Sequence, residues 1–560
     1  MTVFPLGDSA VVMVIGETVD AATTRRVREV ATAIERQPPV GVVDVVPVFA
    51  NVAVFVDPAQ AAFFDVLRAE LETLANEAGA ADSIEMRTVE IPVCYGGEHG
   101  PDLEMIAART QKGAEEMAAL HASADYVVHA IGFAPGFPYL GGLPPELATP
   151  RRDTPRPRVA AGSVGIGGSQ TGIYPLETPG GWNLIGRTPL TLFDAERAEP
   201  SLLHAGDGVK FRSISTAEFD ALAPKPPVLG TRSQAERNRE VMSSGAGPAN
   251  TVGPGLAVVR AGMFTTVQDL GRRGHRAMGV PLSGAADFFA LRLANLLVGN
   301  REDEAGLEFT LVGPELKFRH DTVIAVTGAE FERVPGWRPI VIRAGTSLAI
   351  GPARSGCRGY LAIAGGIDVA PVLGSRSTYV RARLGGHEGR RLVNGDVLPV
   401  RNVRRRFRDH WRIDERILPR YGGSAVVRVL LGEHAGHFDP GWTDCVFKVS
   451  TQSDRMGVRV TGAPLRRRVE GDLPSGAVAP GTVQVPPDGQ PIVLLADAQT
   501  IGGYLQVAHV IAVDMPVVAQ LRPGDDVRFI IVTMADAREL IAAQERALGL
   551  LREGLAQKLA

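Results

Sequence analysis

Residues 159–190 read VAAGSVGIGGSQTGIYPLETPGGWNLIGRTPL and close, over 204–211, on HAGDGVKF. Residues 478–510 read VAPGTVQVPPDGQPIVLLADAQTIGGYLQVAHV and close, over 522–530, on RPGDDVRFI. Both carry Val-Ala-x-Gly-Ser/Thr-Val, then a glycine pair before an aromatic (Gly180-Gly181-Trp182, Gly502-Gly503-Tyr504), then Gly-Asp before an apolar strand. A weaker third ending is Asn394-Gly395-Asp396-Val397-Leu398-Pro399-Val400. Short apolar runs separated by turn residues at close spacing indicate β-barrels or sandwiches. Their recurrence indicates one β architecture used more than once.

Outward from these copies, the chain divides by pattern. Over 1–90, Ala10–Ile15 reads as a strand, and Asp20 caps a helix with Val27, Val30, Ala31 and Ile34 on one face. Val42–Val56 reads as two strands. Asp57-Pro58 starts a second helix with Phe63, Leu67, Leu71 and Leu74 inward, and Ile84–Cys94 alternates as a strand. The order βαββαβ predicts a ferredoxin-like unit. Residues 91–215 predict a barrel, entered by a helix capped by Asp102. Residues 216–254 are rich in Pro, Ser, Gly and charge, as a linker joining two once-separate subunits would be. Residues 255–420 and 421–533 predict two further β units, with one helix over Ala285–Val298 opened by Ser283 or a neighbour. Residues 534–560 predict an amphipathic helix with Asp536 and Glu539 as a capping box and Ile541, Leu548, Leu551 and Leu555 as its stripe. The basic run 401–412 is either a solvated connector or a partner surface. The expected class is α+β, mainly β.

Composition narrows the function classes. A chain of 560 residues has room for roughly four domains of about 150 residues each. Fifty-nine basic against 62 acidic residues give a net charge of −3, which recruits neither nucleic acid nor anionic membrane. Cys94, Cys357 and Cys445 are odd in number and scattered, so they support neither a disulfide framework nor a zinc site. The start MTVFPLGDSA lacks a basic stretch followed by an apolar one, and no apolar run approaches the ~20 residues of a membrane helix. The expectation is a soluble cytoplasmic protein. A Walker A loop, H-E-x-x-H, G-x-S-x-G, G-x-G-x-x-G and a biotin-acceptor Met-Lys-Met do not occur.

Four polar clusters remain. The first is Arg158, Ser163, Ser169, Gln170, Thr171, Tyr174 and Glu177 around Gly167 and Gly168, where glycines let backbone amides approach an anion. The second is Gln268, Asp269, Arg272 and His275, running into Ser283 and the following helix, an anion site of the helix N-terminal kind. The third is Asp454, Arg455 and Arg459, where an Arg fork would clamp a carboxylate or Asp454–Arg455 would be a structural pair. The fourth is Gln484, Asp488, Gln490, Asp497 and Gln499, with Pro487-Asp488-Gly489 first of all a turn. Each has a competing structural reading: tight turns for the first, an N-cap with a basic turn for the second, a salt bridge for the third and a turn for the fourth. His129 reads as a core residue and His121 as a helix-dipole partner, and no spacing suggests a metal site.

These stretches resemble a known family. HAIGFAPGFPYLGGLP (129–144) with 160–189 resembles the KipI-like protein, the B subunit of 5-oxoprolinase, once called allophanate hydrolase subunit 1. TTVQDLGRRGHRAMGVPLSGAAD (265–287), GCRGYLAIAGGI (356–367), SDRMGVRVTG (453–462) and PGTVQVPPDGQPIVLLADAQTIGGY (480–504) resemble its companion, the KipA-like C subunit. The match runs over about 1–220 and 255–533. It implies three cyclophilin-like barrels, one in the first half and two in the second.

The resemblance implies an ATP-dependent 5-oxoprolinase component. It would open 5-oxoproline to glutamate together with the LamB/YcsF-type A subunit, using ATP, with Mg2+, in a site that is unusual, shared or on the partner. One alternative is the carboxyltransferase part of a biotin-dependent urea carboxylase. Another is a regulatory binder that inhibits a histidine kinase. Under the first, backbone amides over Gly165–Gly168 with Arg158, Arg272 and Arg455 would meet developing negative charge. Glu177, Asp269 or Asp454 would be the base, unranked. Ser163, Gln170, Thr171, Tyr174, Gln268, His275, Ser283, Gln484, Asp488 and Gln490 would line the substrate site, and self-assembly stays open.

Overall fold

The structure, a computed structural model, describes residues 1–61, 64–79, 86–223, 255–403, 412–468 and 475–559. Phe63, Ile84, most of the expected linker and most of the basic run lie outside the described residues.

The two copies of the repeated passage build barrels of one design. In the first half, seven strands close in the cyclic order Thr88–Tyr95, Asn183–Arg187, Ser163–Gly167, Gln170–Ile173, Pro138–Gly141, Asp125–Ile131, Gly208–Ser213. At the C-terminal end, seven strands close in the order Ser424–Leu431, Leu505–Val510, Thr482–Val485, Ile492–Leu494, Gly457–Thr461, Phe447–Val449, Asp526–Ile531. The chain order of the strands is the same in both rings. In each, the first and last strands pair parallel, Thr88–Tyr95 with Gly208–Ser213 and Ser424–Leu431 with Asp526–Ile531. Alternation fills each ring: Val164 and Ile166 point into one core, Val483 and Val485 into the other.

The middle unit differs from the expected third barrel. Its eight strands form a sheet with no closure, folded around a core of Leu256, Phe309, Leu316, Phe318, Ile350 and Leu361. The strand Ser347–Ile363 runs through it. Its first part pairs with Val312–Phe318, its later part with Gly306–Thr310 and Thr322–Phe331. Gly351 (φ +81) and Gly356 (φ +74) sit where it changes partners, a backbone bend that a side chain resists.

The N-terminal unit also departs from expectation. Its strands lie in the order Thr2–Pro5, Ala10–Val14, Asn51–Val56, Val42–Val48, under helices Ala21–Arg36 and Phe64–Glu77. The strand expected to complete a ferredoxin-like sheet instead runs as Thr88–Tyr95 inside the first barrel, and the edge beside Ala10–Val14 is taken by Thr2–Pro5. Val48 pairs with Ala130, which fuses this sheet to the barrel. Val11 and Met13 pack under the helices while Ala10 and Val12 pack on the opposite face. Burial on both faces explains the unbroken apolar run.

That opposite face is the seam between the halves. Phe137, Tyr139, Tyr174 and Trp182 of the first barrel share one cluster with Ala477, Ala479 and Ile501 of the C-terminal barrel. Gly136 N donates to Met278 O at 2.8 Å, and a Cβ on Gly279 would stand 2.5 Å from Ala134 O. The long C-terminal helix Met534–Leu559 is capped by Thr533, whose Oγ1 accepts from Asp536 N at 3.2 Å, rather than by an Asp536/Glu539 box. Its Leu548 is buried with Leu293 and Leu297 of the helix Phe288–Leu297. That helix is capped by Asp287, which accepts from Ala290 N, and not by Ser283. Among the described residues no helix is long and apolar enough to cross a membrane.

Candidate functional site at the seam

A cleft of about 930 Å³ opens along the seam, walled by both halves. From the first half come Asp44, Phe55 and Asp57. From the second come Asp269, Arg273, His275, Arg276 and Ser283, with Ala479 and Ala496 from the C-terminal barrel and Glu545 from the last helix.

Its centre is an ion pair across the halves. Asp44 interrupts the apolar strand Val42–Val48, and its Oδ1 accepts from Arg276 N at 3.2 Å. Arg276 Nε lies 3.5 Å from Asp44 Oδ2, and the guanidinium carbon stands 4.3 Å over the Phe55 ring. Burial pushes the Asp44 carboxyl up and the Arg276 guanidinium down, and their mutual attraction opposes both shifts. Beside them Arg273 Nη1 meets Asp57 Oδ2 at 3.1 Å, half-exposed. His275 Nδ1 is buried without a hydrogen-bond partner; burial lowers this imidazole's pKa against the pull of Asp44. The unpartnered Nδ1 can meet a ligand.

Behind the cleft lies a buried polar network. Ser283, held at φ +52, donates from Oγ to Asp497 Oδ1 at 2.8 Å. Arg455 grips Asp497 with Nε–Oδ2 at 2.9 Å and Nη2–Oδ1 at 3.0 Å, and also bonds Glu308 and the Gly284 carbonyl. Burial would raise the Glu308 carboxyl, but Arg455 and Arg358 outweigh it and hold it below its ordinary value. Arg455 is thus a fastener between the middle sheet and the C-terminal barrel, not an open fork for a substrate carboxylate. Asp454, expected as base or as its partner, instead accepts from Met456 N at 2.7 Å and faces Arg381 at 3.4 Å near solvent.

Of the second cluster, Asp269, His275 and Ser283 line the cleft while Gln268 and Arg272 lie buried outside its lining, and its charges are differently employed. Asp269 accepts from Gly271 N, Ser375 Oγ, Arg376 N and Ser377 Oγ, tying two loops together, so its lone pairs are engaged rather than free for proton abstraction. Arg272 is fully buried and donates to the carbonyls of Val372 and Ser377, leaving Nη1 without a partner. Gln268 Nε2 holds Thr266 Oγ1 and Thr378 O.

The first cluster does not assemble. Arg158 and Glu177 pair with each other at 2.8 Å, 76% and 54% exposed, on the outer ribbon. Thr171 and Tyr174 point into packed interior: Thr171 Oγ1 donates to Gly165 O and meets His121 Nε2 at 3.1 Å, and burial lifts the Tyr174 hydroxyl to about 12. Ser163 is buried in its strand and Gln170 opens the next one. The glycines answer to packing instead of to an oxyanion. A Cβ on Gly167 would stand 2.7 Å from the Trp182 indole, and Gly168, at φ +67, gives its N–H to Thr149 O at 2.8 Å. In the fourth cluster Asp488 accepts from Gln490 N at 3.0 Å as a turn, and Gln490 bonds both backbone groups of Gly462. Gln484 is buried with Nε2 unpartnered.

Sequence reading missed Asp44, Asp57, Arg273 and Arg276. A lone carboxylate inside Val-Val-Asp-Val-Val, and the second and third arginines of Arg272-Arg273-Gly274-His275-Arg276, were the signals that pointed to them. Among the described residues no group of three His, Cys, Asp or Glu side chains is placed to hold a metal ion.

Residues 1–203 match the model of the carboxyltransferase domain, subdomain C and D, and residues 278–531 that of subdomain A and B. The chain is 44% identical over 225 residues to the 5-oxoprolinase B subunit of Bacillus subtilis (strain 168), covering 39% of this chain and 94% of that protein. The chain belongs to the carboxyltransferase-domain family. It carries both halves in one polypeptide: it is also 40% identical over 302 residues to the 5-oxoprolinase C subunit of Escherichia coli (strain K12), covering 52% of this chain and 96% of that protein. The crystal structure of TTHA0988 is similar over 94% of this chain and 100% of its own, at 35% identity and a TM-score of 0.78. Urea amidolyase of Saccharomyces cerevisiae (strain ATCC 204508 / S288c) is 32% identical over 321 residues, 52% of this chain and 17% of that protein.

Proposed function

We propose that this carboxyltransferase-family chain is the B and C component of an ATP-dependent 5-oxoprolinase, acting with the LamB/YcsF-type A subunit in the cytoplasm. The observation that carries the reading is the seam: a chain similar along its length to both 5-oxoprolinase subunits has a cleft walled by both parts, with charged side chains from each. A lactam is a weak electrophile. Phosphoryl transfer from ATP to the amide oxygen, releasing ADP, would make its carbon accept water, after which the ring C–N bond breaks to leave an acyl phosphate, and a second water releases phosphate and leaves the carboxylate. The chain's own contribution is a preorganised polar wall, in which donors aimed at developing charge are worth a few kcal/mol each. Arg273 and His275 Nδ1 are the cleft-lining groups with capacity left for a ligand.

The groups expected to meet an anion are already engaged within the chain. The Gly168 amide is held by Thr149, the Gly274 amide by Asp44, and Arg272 by two carbonyls. These groups do not fit a triphosphate, so no step is assigned to them through ATP; the nucleotide and its Mg2+ belong, on this reading, to the assembled complex.

A second reading is favoured by the similarity to urea amidolyase and the carboxyltransferase-domain match: transfer of CO2 from carboxybiotin to a small amide. One pair of assays separates the two. Glutamate formed from 5-oxoproline and ATP, with a LamB/YcsF-type protein present, supports the first. Labelled bicarbonate fixed onto urea through a biotin carboxylase and biotinyl carrier, with no glutamate in the first assay, would replace it with the second.

A further inference from the structure

The cleft holds one carboxyl that its ion pairs and hydrogen-bond networks leave unused. Asp44 pairs with Arg276, Asp57 with Arg273 and Asp303 with Arg301, while Glu302 and Glu545 share Arg292 and Arg552. Asp269 is taken up by two amides and two hydroxyls. Asp8 lines the same cleft and, among the described residues, pairs with no Arg, Lys or His. Its carboxyl accepts from backbone alone, from Ala512 N at 2.8 Å and from its own N–H.

The turn that carries Asp8 is fixed from both sides of the seam. It joins the strands Thr2–Pro5 and Ala10–Val14, and a Cβ on Gly7, at φ +70, would stand 3.0 Å from His509 Cβ of the C-terminal barrel. On its own side, Val56 N donates to Ser9 O at 2.9 Å, and the next residue, Asp57, holds Arg273. Asp8 therefore shares a wall with a group that has capacity for a ligand. The charged groups that face it are Asp514 of the C-terminal barrel and Arg538 of the last helix. The neighbouring His509 is buried, which lowers its imidazole to about 4. Burial, helped by Asp514 and opposed by Arg538, lifts the Asp8 carboxyl from 3.8 to about 6, closer to the working range of a proton donor.

Opening a lactam calls for such a donor. Once water has added to the activated carbon, that carbon carries a hydroxyl, a phosphate oxygen and the ring nitrogen. Phosphate is the better leaving group, and the nitrogen leaves only as it gains a proton. We propose that Asp8 is the acid that protonates the leaving nitrogen. As the C–N electron pair moves to nitrogen, the Asp8 proton follows it. The carboxylate left behind takes the hydroxyl proton as the new C=O forms, so the side chain ends as it began. The assignment rests on the 5-oxoprolinase reading above.

The test mixes the full chain with a LamB/YcsF-type protein, ATP and 5-oxoproline in water labelled with heavy oxygen, and compares the wild type with Asp8→Asn. Asparagine keeps an oxygen for Ala512 N and has no acidic proton. Glutamate formation is expected to fall about 100-fold, within the range for loss of a general acid. Phosphate release falls far less, so phosphate per glutamate rises at least tenfold. Heavy oxygen enters the ring carbonyl of recovered 5-oxoproline, because the water adduct now collapses by expelling phosphate. A purely structural Asp8 would lower both products together and leave their ratio at one. That ratio in the variant, or glutamate formation within threefold of the wild type, overturns the assignment and leaves the 5-oxoprolinase reading standing. If Asp8→Asn does not fold, the wild type carries the test: glutamate per phosphate falls as pH rises above about 6, and a flat ratio overturns the assignment. No glutamate from the wild type, with a LamB/YcsF-type preparation that turns over with separately made B and C subunits, removes the reading and the assignment with it.

Discussion

Asp44 and Arg276 carry opposite charges out of water on opposite sides of the seam, and neither has another full charge to meet as closely. Removing one partner strands the other, which costs about 3–5 kcal/mol for a buried pair. Asp44→Ala is therefore expected to lower the unfolding free energy by that order in urea titration; a loss under about 1 kcal/mol, the range of exposed pairs, would mean the pair is solvated. Asp8 makes a pH prediction. It is buried, accepts from Ala512 N at 2.8 Å, and burial, with Asp514 nearby, raises its carboxyl from 3.8 to about 6. A folded-state pKa above the unfolded one favours the protonated form, so its contribution is fully present below about pH 4 and is lost as pH climbs through about 6. The shift of about two units corresponds to about 3 kcal/mol. Asp8→Asn should be the more stable form at about pH 7 and should flatten the stability profile between about pH 4 and about pH 6. Identical profiles for variant and wild type would remove Asp8 from the account. At this scale the sequence was partly legible. Arg455 was visibly special, but whether a guanidinium grips substrate or fastens two units depends on Glu308 and Asp497, 147 and 42 residues away.

Among the elements, the turns at the seam are the most constrained. Gly132 opens the loop Gly132–Phe137, and a Cβ there would meet Ile501 Cδ1 at 2.5 Å. Gly132→Val should wedge the first barrel from the C-terminal one at a cost of about 1–3 kcal/mol, the range for overpacking, and should release the halves at lower denaturant than the barrels themselves. A single cooperative transition at the wild-type midpoint would contradict it. Strands and caps were largely legible where the period was local: Asp20, accepting from Thr23 N at 2.8 Å, caps its helix as expected. Asp102 was not, since its carboxylate leaves its own helix to accept from Leu184 N at 2.7 Å and to meet Arg156 at 2.8 Å. A cap residue and a cross-link residue look alike until the distant strand is in place. The same holds for the strand Thr88–Tyr95, whose alternation gave its existence but not its sheet.

For the whole molecule, the repeated passage marks two barrels with one cyclic strand order, facing each other across a seam that also holds the cleft. Recurring glycines and aromatics made that pairing readable in sequence. The middle sheet was not readable as open, because its short strands carry the same turn signals as a barrel and only long-range pairing distinguishes closure. Joining the two halves in one chain keeps both walls of the cleft in equal number. The most direct measurement of the account is product stoichiometry when the purified chain is mixed with a LamB/YcsF-type protein, ATP and 5-oxoproline. Equal amounts of glutamate and phosphate, formed only when every component is present, are the predicted result. No glutamate, with a LamB/YcsF-type preparation that turns over when given separately made 5-oxoprolinase B and C subunits, would contradict it.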